Sequence, residues 1–187
     1  SSAMNLDSFS LYSRCGFVPR AVYADMQIAV PANGFSTRVP GHGGVRPATI
    51  ADLPEIVALE TNLVGIEREK DHQMFIENKQ GIWNALVHCD GSGRIGGFLC
   101  SVTHPASNLI GPGFARTDEA ALALIAAQIN HNRGRSPVLL IPLERTEVVK
   151  QMYVWGAKNV ELHFAQIRGS YKPMKGVVMP TFMPETG

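Results

Sequence analysis

The stretch Leu109 to Ala127, LIGPGFARTDEAALALIAA, constrains the fold more than any other part of this chain. An apolar strand leads through Gly111, Pro112 and Gly113 into an apolar helix. Thr117 stands where an N-cap belongs, and Asp118 and Glu119 fall in the first turn, where the helix dipole favours negative charge. Leu122, Ile125, Ala126 and Ile129 form its packing stripe, and Gly134 ends it. A helix start presents amide N–H groups with no intrahelical partner, so this turn either caps a helix or also seats a pyrophosphate. The next apolar run, Pro137 to Leu143 (PVLLIPL), lacks polar alternation, as a strand covered on both faces does. Strand, helix and strand in this order predict parallel neighbours joined by a right-handed crossover.

The remaining elements surround that unit. Val45 to Thr49 reads as a short strand, and Asp52 with Pro54 starts a helix whose apolar face carries Leu53, Ile56, Val57, Leu63 and Val64. A second helix covers Glu67 to Glu77, and its charge run (EREKDHQMFIE) reads as a solvated face. Ala85 to Cys89 and Ile95 to Thr103 are strands of a hairpin signalled by Asp90-Gly91. Gly91, Gly93 and Gly96 also spell GxGxxG, but a strand follows instead of the helix that a dinucleotide fingerprint needs. Thr146 to Trp155 is a helix closed by Gly156, and Val160 to Arg168 is an alternating strand. The elements define an α/β chain with a mixed, α+β-type sheet and helices on both sides. At the N-terminus, Asp7 to Cys15 is a helix ending at Gly16, and Ala21 to Val30 is a strand. Turn formers fill Pro31 to Gly44. The expected divisions are residues 1–30, a linker 31–44, a domain 45–170 and an extended tail 171–187.

Composition excludes several classes. The 187 residues suffice for one ordinary domain with additions. Lysine plus arginine (17) nearly balance aspartate plus glutamate (16), with no basic run interleaved with aromatics, so no nucleic-acid partner is expected. Cys15, Cys89 and Cys100 are odd in number and lack CxxC spacing, as suits reduced thiols of a cytoplasmic protein. His88 and Asp90 lack a third ligand, so no metal is expected. Neither a signal peptide nor an apolar run long enough for a membrane is visible, and Ser1 to Ala3 have the look of an expression scar. No GxSxG elbow supports an α/β hydrolase.

Two stretches repeat. With Gly16 placed on Gly156, the helix of Ser8 to Cys15 falls on that of Val148 to Trp155, and Gln27-Ile28 falls on Gln166-Ile167 after a one-residue gap. VRPATIADLPEI at Val45 to Ile56 resembles the opening strand and helix of the GNAT superfamily of N-acetyltransferases. NLDSFSLYSRCGF at Asn5 to Phe17 resembles the closing pattern of that superfamily. The resemblance covers Val45 to Gly169 in element order. It implies a GNAT-like acyl-CoA N-acyltransferase fold preceded by a helix-strand remnant of another such unit, as in the C-terminal part of a tandem protein.

By that resemblance, acetyl-CoA as co-substrate lies in a split between the two central strands. Its pyrophosphate sits on Gly111, Gly113, Ala115, Arg116 and Thr117. The family turn reads Gln or Arg, two residues, Gly, any residue, then Gly or Ala. Here Pro112 has no N–H to donate, and Arg116 is the candidate phosphate partner. The family's tyrosine acid stands four residues before the glycine. Tyr12 has that spacing, whereas the complete unit has Met152 there and Tyr153 one residue off, about 100° around the helix. Tyr153 is the expected acid, with Glu67, His104 and Glu144 as candidates for receiving the amine proton. Transfer of an acetyl group to a small-molecule or peptide amine is the expected function. A catalytically silent regulatory or partner-binding module is the alternative. Apolar residues of the N-terminal piece need cover, so it is expected to pack on the domain or on a second copy, as a homodimer.

Overall fold

A computed structural model of the chain describes residues 1–35, 42–104 and 107–181. The expected linker and tail therefore lie partly outside the described residues. Helix α1 (Leu6–Arg14) is followed by β1 (Val18–Gln27), β2 (Val45–Pro47), α2 (Leu53–Leu63) and α3 (Glu69–Glu77). Next come β3 (Trp83–Cys89), β4 (Ile95–His104), β5 (Ser107–Ala115), α4 (Asp118–His131) and β6 (Val138–Pro142). Helix α5 (Thr146–Val154), β7 (Lys158–Ile167) and β8 (Val177–Met179) close the order.

The strands form one sheet in the order β2-β3-β4-β5-β6-β1-β7, with β8 paired to β5. β5 and β6 are parallel, as the crossover rule requires, and the other pairings are antiparallel. Alternate residues of the central strands feed two cores on opposite faces. Leu99, Ala115 and Ile141 pack with α4 and α5, whereas Phe98 and Phe114 pack with Ile56, Leu59 and Phe75 of α2 and α3.

Three local features explain the elements. The opening motif is a clamp: Arg46 donates twice to the Asp52 carboxylate, at 2.7 and 2.8 Å, and the Thr49 N–H donates to it at 2.8 Å. The Arg46 hydrogen bonds hold the Asp52 carboxyl down at about 2. At α4, the Thr117 hydroxyl accepts from the Ala120 N–H at 3.2 Å, which confirms the N-cap. Gln128, fully buried on α4, accepts from Ser101 Oγ at 2.8 Å and Asn84 Nδ2 at 2.9 Å. It donates to the carbonyls of Asn84 and Leu99, each at 2.8 Å, and so pins α4 to β3 and β4.

One sequence expectation needs correction. The charged second helix is not simply a solvated face, because His72 and Phe75 are buried. His72 bonds Glu60 at 2.7 Å, and Glu60 accepts from Arg68 Nη2 at 2.6 Å and Nε at 2.9 Å. Glu60 is wholly buried on α2. Desolvation pushes its carboxyl up, but the His72 and Arg68 hydrogen bonds outweigh that and leave it below its ordinary value. The N-terminal helix and strand pack on the domain, one of the two arrangements expected of them. β1 lies between β6 and β7, and its Ala24 and Met26 enter the core beneath α4 and α5.

Candidate functional site

β5 and β6 pair only at Leu109 with Val138 and Ile110 with Leu139. Beyond that point they separate, for a reason written in β5. Leu99 opposes Gly113 and Ser101 opposes Ile110, so Gly111 and Pro112 together face the single residue Cys100. The extra residue is a bulge, which bends its strand and breaks the ladder. The split between the two central strands therefore exists, and it starts at the bulge.

β8 fills it. Gly113 opposes Met179, Phe114 opposes Val178 and Ala115 opposes Val177, on the edge of β5 that β6 has left. β8 also lies against β6, and Val177 and Met179 are buried in the core shared with α4. Arg145, just before α5, donates to the carbonyl of Gly176, and the Lys175 N–H donates to the Leu63 carbonyl at 2.7 Å. The segment leading into β8 is thus tied to α2 on one side and to Arg145 on the other.

Gly111 to Gly113 form no turn, contrary to the sequence reading, because β5 runs to Ala115 and the turn falls at Arg116 and Thr117. The glycines serve close packing. A Cβ on Gly113 would strike Leu99 Cδ1 and lie 2.8 Å from the Phe98 carbonyl oxygen. Gly111, at φ +138°, would bring a Cβ to 2.9 Å from the Pro180 carbonyl oxygen. Gly111, Gly113 and Ala115 are buried, whereas Arg116 and Thr117 are exposed beside the α4 N-terminus.

With the turn so placed, the family spacing of Arg, two residues, Gly, one residue, Ala falls on Arg116 to Ala121 and puts Glu119 at the glycine. Asp118, 3.8 Å from Arg145 Nη1, adds a second carboxylate to that first turn. These acids oppose the dipole's attraction for an anion, and Arg116 and Arg145 are the cations set against them. A cavity of about 590 Å³ beside this turn is lined by Gly44, His88, Asp90, Thr117 and Glu119 among others, without lysine or arginine among the described residues.

The proposed catalytic residues are not gathered together. Met152 is buried in the core, whereas Tyr153 is 52 % exposed on the outer side of α5, as one step around a helix requires. Glu67 is exposed between α2 and α3, and Glu144 is exposed next to Arg145. His104 ends β4 opposite Ser107, four residues and about 13 Å along β5 from the start of the split. Sequence reasoning missed Tyr23 on β1, which burial, and then the charges of Glu144 and Tyr171, push up to about 12. A central β1 between β6 and β7 brings that phenol beside Pro142 at the end of β6, and no local motif announces this.

A mixed sheet that opens between two parallel central strands, with α4 starting at the mouth, defines the class of CoA-dependent acyltransferase folds. The family model described as Acetyltransferase (GNAT) domain matches residues 56–174, and the chain belongs to that family. Among solved structures it resembles a putative acetyltransferase from Pyrococcus horikoshii, with a TM-score of 0.68 at 14 % identity over 96 % of this chain and 55 % of that one. A GCN5-related N-acetyltransferase from Sphaerobacter thermophilus gives a TM-score of 0.58 at 18 % identity, covering 93 % and 60 % of the two chains. Saccharomyces cerevisiae N-myristoyltransferase with bound myristoyl-CoA gives 0.52 at 11 % identity, covering 84 % and 51 %. The chain thus spans about half to three-fifths of these relatives. No curated protein matches it. Among the described residues no helix is long and apolar enough to cross a membrane.

Proposed function

We propose that this chain is an acyl-CoA-dependent N-acyltransferase unit whose split is closed by its own C-terminal strand. The observation that carries the reading is the divergence of β5 and β6 after Ile110, with β8 as a third strand between them. Acetyl-CoA is the proposed co-substrate, as the family name supports, and a small-molecule or peptide amine is the proposed acceptor. The thioester carbonyl would lie where β8 now pairs with β5, open to attack by the amine nitrogen. The amine proton would leave to a base or water, and the CoA thiolate would take a proton from an acid. Arg116 and Arg145 are the cations at hand for the pyrophosphate. Arg145 would then exchange the Gly176 carbonyl for phosphate, coupling release of the strand to ligand binding.

A second reading, a silent module serving the rest of a tandem protein, is favoured by Asp118 and Glu119 at the phosphate end and by the outward Tyr153. A homodimer belongs to either reading, since α1 leaves Leu6, Leu11 and Tyr12 exposed. Gly176→Val separates the two readings. Its Cβ would strike the Ala115 carbonyl, and Gly176 has φ +67°, so the variant should displace β8 from β5. Calorimetric titration with acetyl-CoA is expected to show weak binding by the wild type and at least about tenfold tighter binding by the variant. If the folded variant binds none, the acyltransferase reading fails and the silent module stands.

A further inference from the structure

We propose that Asp25, Glu161 and His163 bind a divalent transition-metal ion that ties β1 to β7. In the antiparallel register Asp25 opposes Glu161 and Tyr23 opposes His163, so the three side chains project from one face of two hydrogen-bonded strands. One ligand atom from each lies within 4.8 Å of the other two. Asp25 has a side chain only 9 % exposed, and its Oδ1 is buried with no hydrogen-bond partner. A buried carboxylate with an orphaned oxygen is costly, and a second carboxylate directly across the ladder adds repulsion. His163 Nδ1 is 3.8 Å from Asp25 Oδ2, too long for a direct hydrogen bond and suited to a cation between them.

Other groups nearby do not complete the site. The Met4 N–H donates to Glu161 Oε1 at 3.4 Å, and the Ser1 ammonium, which also feels the Glu161 charge, donates to the Phe164 carbonyl at 2.7 Å. Neither reaches the orphaned oxygen of Asp25. Two carboxylates and one imidazole match zinc and its first-row neighbours, whereas magnesium and calcium prefer an all-oxygen shell. Three protein ligands on partly exposed Glu161 and His163 leave a fourth position for water. Sequence spacing conceals the set, because Asp25 comes from the first strand and the other two from the seventh.

The test uses the full chain stripped of metal, titrated with Zn²⁺ by calorimetry and with Co²⁺ by visible absorption. One site is expected, with a raised melting temperature on Zn²⁺ addition and the absorption bands of low-coordinate Co²⁺. Asp25→Asn and His163→Gln should each weaken Zn²⁺ binding by more than about a hundredfold, beyond the roughly 10- to 100-fold that loss of an outer-shell partner costs. Asp25→Asn also removes a buried charge, so its metal-free melting temperature should equal or exceed that of the wild type. Thus lost binding is distinguishable from lost folding. Failure of the folded wild-type chain to bind Zn²⁺, or binding unchanged by both substitutions, overturns the proposal. Neither result bears on the acyl-CoA reading, because β6 and β8 separate these residues from β5 and the titrations contain no CoA.

Discussion

Glu60 carries its charge in a place no water reaches, and the residues around it show how the charge is tolerated. Arg68 and His72 supply three hydrogen bonds, and His72 in turn lies edge-on to Phe75, Phe98 and Phe114. Removing the carboxylate strands a guanidinium in a poorly hydrated pocket, a loss of about 3 to 5 kcal/mol for a buried pair. Glu60→Gln is expected to destabilise by that amount in urea unfolding. The pH dependence has a definite sign. A folded-state value below the unfolded one gives stability that is present above the unfolded glutamate value, about 4.3, and lost as pH falls through the folded value. The acid limb of the wild-type stability curve should therefore flatten in the variant. None of this was legible in EREKDHQMFIE, where the helical period gives His72 the same face as Phe75 but the charges around it point to solvent. Met152 was legible as a packing residue, whereas Tyr153, taken from the sequence as the acid, lies one step around the helix and is exposed.

At the scale of elements, pattern and chemistry agree along α4. Thr117 caps it, an alanine-rich surface lets it lie close to the sheet, and Gln128 supplies the one polar fixture in an otherwise apolar contact. Gln128→Ala should leave Ser101 Oγ and Asn84 Nδ2 without their acceptor and take a donor from the Asn84 and Leu99 carbonyls, and about 3 kcal/mol of stability is expected to be lost, measurable as a lower thermal midpoint. Gln128→Glu should fare no better, since a carboxylate cannot donate to the carbonyls of Asn84 and Leu99. The parallel pair and the Asp90-Gly91 hairpin were readable because each is decided by local signals. The glycines of β5 misled, because a glycine demanded by a neighbouring strand looks the same in sequence as one demanded by a turn. β8 was unreadable as a strand. Three residues give too little alternation, and the partner that fixes them lies more than sixty residues earlier.

Across the whole molecule, the N-terminal strand decides what counts as one folding unit. β7 has β1 as its neighbour in the sheet, and β1 also pairs β6, so among the described residues the stretch 158–167 joins the sheet only through a strand near the other end of the chain. Phe9 of α1 packs edge-on against Phe164 and extends the same dependence. Deleting residues 1–30 is therefore expected to abolish the cooperative thermal transition seen by circular dichroism, not to yield a smaller stable domain. A truncated chain melting at the wild-type temperature would show that β7 finds another partner. The sequence pointed correctly to a helix followed by a strand within Leu6 to Gln27. It was silent on their place in the sheet, since pairing between distant strands depends on which edges remain open once the others have formed.

The filled split has a consequence in the currency of concentration. Under the acyltransferase reading, β8 is a ligand on a tether, joined to β7 by the short stretch from Arg168 to Gly176, and such tethers hold their cargo at a local level on the order of millimolar. A dissolved thioester arriving at that edge of β5 competes with an occupant it cannot dilute. Its apparent affinity is the intrinsic one multiplied by the fraction of molecules whose edge is momentarily bare. Uptake would then accelerate with added thioester only until strand departure becomes the slow step. Beyond that point the protein, not its supply, sets the tempo.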